Sequence, residues 1–431
     1  MASTLKVPRT PGFPGTKVCK VALIGFGTVG SSVARLLSAR NQELPFQLTH
    51  VYNRDVARKK VDWVSDEVKW TDAFDDLLHS DAEVIVELVG GLDPAHQWVK
   101  KALLAGKSVV TANKQLMAHH GSELLALARE RDLHLGFGAC VAGGVPVIAA
   151  LQDGLAGDRL HKVRGILNGT CNYILTRVEQ SGASFADALV EAQKAGFAEA
   201  DPTDDIEGYD ARAKLVILSR VGLNAEVRPE EVSCRSIAGV EQIDFDYAHQ
   251  LGCTIRQISR AERHGEHLYS SVEPALVPQT EPLARVAGSQ NLLVSTGEFG
   301  GETVFAGFGA GGNPTAVAVV SDLVHIARHK PRENDATAPV RYHASSDFET
   351  PRYVRFVIQD KPGIIAAIAG ILSHNGINID SVLQKPGCSK AELPFVMTLE
   401  TCSSTKLNQA LSEIGKLDFH KSAPFCMPIL R

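Results

Sequence analysis

The chain has 431 residues, 44% of them hydrophobic and 22% charged, with a formal net charge of −5. That balance fits a globular protein too long for one core, so two or three domains are expected. The slightly acidic charge argues against a nucleic-acid partner, and no apolar run approaches the ~20 residues of a membrane span.

The first sixteen residues, MASTLKVPRTPGFPGT, lack an apolar stretch and read as a disordered Pro/Gly tail rather than a secretory signal. Next comes KVALIGFGTVGSSVARLLSAR: a short buried strand, a glycine turn and a helix. LTHVYNRD, DAEVIVELVGG and KSVVTANK supply further strands, the last two preceded by the helical stretches DAFDDLLHS and AHQWVKKALLAG. Strand–helix alternation predicts an α/β domain over 17–148 with a Rossmann-type, doubly wound parallel sheet. Residues 149–310 change to mixed helices and strands, and an α+β substrate and dimerisation domain is expected there. The Gly-rich turn and helix of 311–328 are expected to return to the first domain. Residues 329–350 read as a linker. The last segment, 351–431, restarts with a strand, the turn DKPG, a helix and two strands before a final helix. This βαββα order predicts a small ferredoxin-like module separate from the catalytic body.

GFGTVG matches G-x-G-x-x-G at Gly25, Gly27 and Gly30, after a strand and at the opening of a helix. That context assigns the turn Gly25, Phe26, Gly27, Thr28, Val29, Gly30 to a dinucleotide: tight turn, close approach to the pyrophosphate, and helix–strand packing. Where an acid would bind the ribose hydroxyls of NAD, the chain has Asn53 and Arg54, followed by Arg58, Lys59 and Lys60. Cations there suit a 2′-phosphate, so NADP is favoured, with NAD as the alternative; Asp55 weighs against the preference. A solvated basic helix start is the competing account of Lys59 and Lys60.

EADPTDDIEGYDARAK, 199–214, packs six carboxylates and closes with Asp210 and Lys214 at i, i+4. On those residues alone, a surface salt bridge is the ordinary outcome. The spacing does not fit a calcium loop. The eight cysteines, 19, 140, 171, 234, 253, 388, 402 and 426, show no CxxC pair, and there is no His cluster at zinc spacing. Reduced thiols and a cytoplasmic location are expected.

Taken together, GFGTVG, TANK (111–114), VAGGVPVI (141–148), GILNGTCNYIL (165–175) and GFAEADPTDDIEGYDARAKL (196–215) resemble the homoserine dehydrogenase family, in order and over nearly the whole chain from Lys17. The tail from 353, with DKPG and HNGINIDSV, resembles an ACT domain. The resemblance implies reversible reduction of L-aspartate 4-semialdehyde to L-homoserine, in threonine, methionine and isoleucine biosynthesis. Lys214 then corresponds to the proton donor or acceptor and Glu199 to the residue holding the substrate amino group. Asp205 and Asp210 line the substrate pocket, Lys114 lies near nicotinamide and substrate, and Gly311 touches the cofactor. Asp201, Asp204 and Glu207 are left as structural or solvated. A sodium ion held by backbone carbonyls maps to Gly138, Val141, Gly143 and Val145, although Gly138 stands where the family has glutamate and Cys171 where it has threonine. The ACT resemblance implies a threonine effector near Asp360, Gly363 and Asn375; a purely structural subunit contact is the alternative. A homodimer or homotetramer is expected. No aspartokinase-like segment precedes residue 17, so a bifunctional chain is not. The competing classes are a nucleotide-binding regulatory protein and an amino-acid dehydrogenase acting at Cα.

Overall fold

The apolar strands of the first domain pair as their hydrophobicity requires. In the computed structural model, which describes residues 17–331 and 339–430, β1 (Cys19–Ile24), β2 (Phe46–Tyr52), β3 (Lys69–Thr71), β4 (Val84–Glu87), β5 (Ser108–Thr111) and β6 (Leu135–Gly136) form one sheet in the order β3-β2-β1-β4-β5-β6. The pairings are parallel, and the order reverses between β1 and β4, where dinucleotides bind in doubly wound sheets. The interleaved helices are α1 (Thr28–Ala39), α2 (Val56–Lys59), α3 (Phe74–His79), α4 (Ala95–Leu104) and α5 (Lys114–Glu130). A short helical turn, α6 (Val147–Ala149), ends this run. β1 and β4 are apolar through their centres because both faces of the sheet are covered: one core gathers Val21, Leu23, Val33 and Val86, the other Ala22, Ile24, Ile85 and Val109.

The chain divides into two units, Met1–Gly157 with Gly307–Val340, and Asp158–Ala306 with Arg341–Arg431. Unit 2 begins with β7 (Leu160–Ile166), α7 (Gly169–Ser181), α8 (Phe185–Lys194), α9 (Thr203–Ile206) and α10 (Tyr209–Leu223). β8 (Ala225–Glu226), β9 (Ser233–Cys234) and α11 (Gln242–Gln250) lead into the long strands β10 (Cys253–His264), β11 (His267–Pro278), β12 (Gln290–Gly297) and β13 (Gly301–Phe308). The mixed sheet runs β13-β12-β7-β10-β11 and ends on β15 (His343–Ser345), with β9 also on β11. Its outer strand β13 has no buried residue.

α12 (Gly312–Arg328) returns to unit 1 and packs on α1, burying Ala316, Val319 and Leu323 in the β1–β2 core. A Cβ on Gly312 would lie 2.6 Å from Ser32 Oγ, so the two helix starts approach closely only because that position is glycine.

The expected tail 1–16 and the centre of the expected linker, 332–338, lie outside the described residues. β14 (Val340–Arg341) and β15 (His343–Ser345) follow. The C-terminal module contains β16 (Glu349–Ile358), α13 (Ile364–His374), β17 (Ile379–Leu383), β18 (Leu393–Ser403), α14 (Ser404–Ile414) and β19 (Phe425–Pro428), with strand order β17-β18-β16-β19. The last strand completes a βαββαβ order where βαββα was expected. Nor does the module stand apart from the catalytic body. It belongs to unit 2, and α11 is bonded to it side chain by side chain. Tyr353 Oη donates to Asp244 Oδ1 at 2.6 Å, and Arg355 donates to Glu241 Oε1 at 2.6 Å and to the Gly239 carbonyl at 2.9 Å. Tyr247 Oη donates to the Pro394 carbonyl at 3.3 Å and accepts from the Lys385 N–H at 3.1 Å.

Candidate active site

The residues expected at the site fall into two constellations, one in each unit. In unit 1, Gly25 has φ +98°, and a Cβ on Gly30 would sit 2.2 Å from the Gly25 carbonyl oxygen. Only glycine at both positions lets the turn close against the first turn of α1. Gly27, the residue before α1, has no atom within 4 Å of the place its Cβ would occupy, so its backbone faces open space. The α1 N-terminus therefore offers free N–H groups and a positive dipole end. Phe26 is buried against Trp63 and Trp70, while Thr28 accepts from Ser32 Oγ through its carbonyl. Val29 is half-buried in the same core. Gly311, φ +112°, precedes α12 beside this start.

At the end of β2, Asn53 Oδ1 accepts from the Asp55 N–H at 3.0 Å, and the Asp55 carboxylate caps α2 by accepting from the Arg58 N–H at 3.1 Å. Asp55 is thus occupied by its own helix, and Arg54 and Arg58 are exposed.

Beyond β4 and β5 lies a buried arrangement that sequence reading did not identify. Glu87 accepts from the Val89 N–H at 2.8 Å and from Thr111 Oγ1 at 2.5 Å, and burial raises its carboxyl above the usual range. Asn113 donates to the Gly91 carbonyl at 2.6 Å and caps α5 at Leu116 N, 3.1 Å. This frame fixes Lys114 as the first residue of α5. A helix dipole opposes a cation at that position, so helix stability alone would not select lysine there.

Gly138, Val141, Gly143 and Val145 lie on the loop after β6, folded back by positive φ at Ala142 and Gly143. The Asp322 carboxylate accepts from the Gly138 N–H at 2.8 Å, and a Cβ on Gly138 would meet its Oδ1 at 2.9 Å. Burial pushes the Asp322 carboxyl up to about 7, against the lowering effect of that hydrogen bond.

In unit 2, the acidic stretch folds as α9 and the start of α10. Gly208, φ +84°, makes the bend between them, and a Cβ there would meet Val272 Cγ1 at 2.9 Å. Asp210 then falls in the first turn of α10, where a carboxylate is favoured, with Lys214 one turn on. Lys214 Nζ donates to Asp210 Oδ2 at 2.6 Å and to the Leu167 carbonyl at 2.8 Å. The pair is almost wholly enclosed, with side-chain exposures of 12% and 9%, and is no surface salt bridge.

The organising residue is one that sequence reading passed over. Asn168 caps α7, and its Nδ2 donates to Asp205 Oδ1 at 2.6 Å and to Asp210 Oδ2 at 2.9 Å. One amide thus sits against two like charges that would otherwise repel. Burial, and behind it the Asp210 charge, raises the Asp205 carboxyl above its ordinary value while the Asn168 hydrogen bond pulls it down. Cys171, fully buried with its thiol pushed well up, donates to the Asp205 carbonyl at 3.0 Å and is inert. Of the three acids expected to face inward, Asp205 and Asp210 converge on Lys214 and Glu199 does not: it is exposed, with its carbonyl accepting from Gln193 at 3.0 Å. Asp201 and Asp204 are exposed, and Asp201 is turned onto Thr203.

In the C-terminal module, Asp360 and Gly363 line a cleft of about 470 Å³ with Lys361, Ile364, Gln384 and Phe395. Asn375 does not join them. It follows the other end of α13, eleven residues and roughly 16 Å away, with its side chain on the Ile371 carbonyl. Within one chain, therefore, the three residues expected around an effector do not form one site.

Comparison with known proteins covers most of the chain. The homoserine dehydrogenase family profile matches residues 146–324, its NAD-binding domain matches 25–137, and the ACT domain matches 352–419. The homoserine dehydrogenase of Bacillus subtilis is 36% identical over 415 residues, covering 93% of this chain and 96% of that protein. That of Corynebacterium glutamicum is 38% identical over 399 residues, covering 89% of each. The crystal structure of a homoserine dehydrogenase from Thiobacillus denitrificans superposes with a TM-score of 0.88 at 32% identity, covering 96% of this chain and 98% of that one.

Proposed function

The chain belongs to the homoserine dehydrogenase family, and on that premise we propose how its residues divide the reduction of L-aspartate 4-semialdehyde to L-homoserine. The reaction is a nicotinamide-dependent oxidoreduction at a CH–OH carbon. The observation that carries the assignment of roles is the enclosed Asn168–Asp205–Asp210–Lys214 cluster.

When bound, the reduced nicotinamide supplies a hydride to the aldehyde carbon. Lys214 supplies the proton at the aldehyde oxygen, with Asp210 and the Leu167 carbonyl holding its ammonium in place. Asp205 and Asp210 supply the enclosed acidic lining for the substrate's own ammonium; the family resemblance assigns Glu199 to the same ammonium, but its exposed side chain lies outside this cluster. Lys114 acts beside the nicotinamide and the substrate. The turn Gly25–Gly30 and Gly311 hold the pyrophosphate, a role supported by the open approach to Gly27.

NADP is the preferred cofactor, with NAD as the weaker alternative. Capping of α2 occupies Asp55, while Arg54 and Arg58 stay exposed for a 2′-phosphate. The residues after β6 also fit a sodium ion. Gly138, Val141, Gly143 and Val145 offer backbone carbonyls, and the buried Asp322 carboxyl beside Gly138 is a group a cation would favour in its charged form. Such an ion would fix the loop. Threonine is the proposed effector of the cleft at Asp360 and Gly363. The exposed strand β13, with Val304 and Phe308 uncovered, supports a homodimer or homotetramer. The eight cysteines are free thiols, in keeping with the cytoplasm and with threonine and methionine synthesis there. Among the described residues no helix is long and apolar enough to cross a membrane.

One assay tests the reading: reduction of NADP and of NAD, measured separately with L-homoserine. Turnover with NADP above that with NAD supports it; ammonia release from homoserine would point to oxidation at Cα instead.

A further inference from the structure

The outer face of unit 1 brings together two histidines and a glutamate that spacing along the chain does not reveal. His96 stands in the first turn of α4, and His120 and Glu123 lie one turn apart on α5, which packs against α4. His96 Nε2 is 3.2 Å and His120 Nδ1 is 3.7 Å from the same oxygen, Glu123 Oε2. All three ligand atoms fall within 4.8 Å of one another. Ligands ~2.0–2.1 Å from a tetrahedral zinc ion are about 3.4 Å apart, so these separations suit a shared ion.

We propose that His96, His120 and Glu123 form a site for one divalent transition-metal cation such as Zn²⁺, with water as the fourth ligand. Two imidazoles and a carboxylate are a donor set zinc accepts when one position stays open. The glutamate is already oriented for the role. Lys100 Nζ donates to Oε1 at 2.6 Å, which leaves Oε2 facing the imidazoles. The two rings are stacked 3.9 Å apart and 13° from parallel, so binding turns them until both lone pairs converge on one point. The ion would staple α4 to α5, and the Asn113 side chain that caps α5 already holds the Gly91 carbonyl in the loop leading into α4.

The test uses the full chain, freed of metal by a chelator, titrated with Zn²⁺ by calorimetry and with Co²⁺ by visible absorption. One ion per chain is expected, with Co²⁺ bands of a nitrogen and oxygen site and no thiolate charge-transfer band. His96→Gln and Glu123→Gln should each weaken Zn²⁺ binding at least about tenfold. The thermal midpoint of the parent protein should rise with Zn²⁺ and that of the variants should not. Glu123 is the more exposed of the two, so its variant keeps the test open if His96→Gln folds poorly. Unchanged affinity in the folded variants, a thiolate band, or no binding to the parent protein would each overturn the site.

Discussion

Lys214 donates to the Asp210 carboxylate at 2.6 Å from one helical turn away, inside the protein rather than on its surface. The carboxylate holds the ammonium in place. Lys214→Ala should therefore lower kcat by ~10²–10⁴ while the dissociation constant for NADPH stays within about twofold. Steady-state kinetics with a fluorescence titration of NADPH check both halves. Near-full turnover in this variant would remove Lys214 from the chemistry.

Asp205 and Asp210 share the Asn168 amide, and this arrangement makes stability and function pull in opposite directions. The Asp205 carboxyl is raised above its ordinary 3.8, mainly by burial. A raised folded value means that the stabilising contribution is complete below pH 3.8 and is lost as pH rises through the folded value. Asp205→Asn should then raise the thermal midpoint near pH 7 more than below pH 3.8, and should raise KM for the amino-acid substrate. A lower midpoint at pH 7 would show that the charged carboxylate contributes more than it costs. Asn168→Ala removes the largest of the influences that lower the Asp205 carboxyl, so its acid limb in KM against pH should move upward.

Gly30→Ala puts a methyl group where the Gly25 carbonyl already stands, 2.2 Å away. Because the obstacle is backbone, the turn must open, and the α1 N-terminus moves from its place. Binding of NADPH should fall by at least about tenfold, the equivalent of ~1.4 kcal/mol. Circular dichroism at 222 nm distinguishes this from general unfolding, since unit 2 does not contain the turn.

The parts of this molecule that were legible in its sequence are those whose causes are local. The glycine turn is one, because Gly25 and Gly30 constrain each other across five residues. The acid–lysine pair is another, because a helix sets its spacing. Asn168 was not legible: its partners Asp205 and Asp210 are 37 and 42 residues away, and no periodicity joins them. The His96, His120 and Glu123 cluster escaped for the same reason, being built from two helices. β3 and β6 are three and two residues long, too short for an apolar pattern, and sit at the edges of the sheet. Glutamate's absence at position 138 was visible in the sequence, but its physical setting was not: the Asp322 carboxylate occupies the space beside that Cα. The inward placement expected for Glu199 rested on the family resemblance, and in this chain the side chain is exposed.

The hydrogen bond from Tyr353 to Asp244 offers the last test, of how the C-terminal module is tied to the rest of unit 2. Asp244 is fully buried, and burial raises its carboxyl although Arg355 lies 2.9 Å away. Arg355 Nε makes that close approach without hydrogen-bond geometry, so the directional bond to Oδ1 is the tyrosine's. Tyr353→Phe leaves a buried oxygen without its donor and should cost ~1–3 kcal/mol of stability. The neighbouring Tyr247 hydroxyl spans Lys385 and Pro394, each one residue from a cleft residue, Gln384 and Leu393. If the cleft takes threonine, Tyr247→Phe should flatten the response of activity to a threonine titration while leaving activity without threonine within about twofold. An unchanged response would show that α11 does not carry the signal, and a flat response already in the parent chain would leave the module an assembly contact.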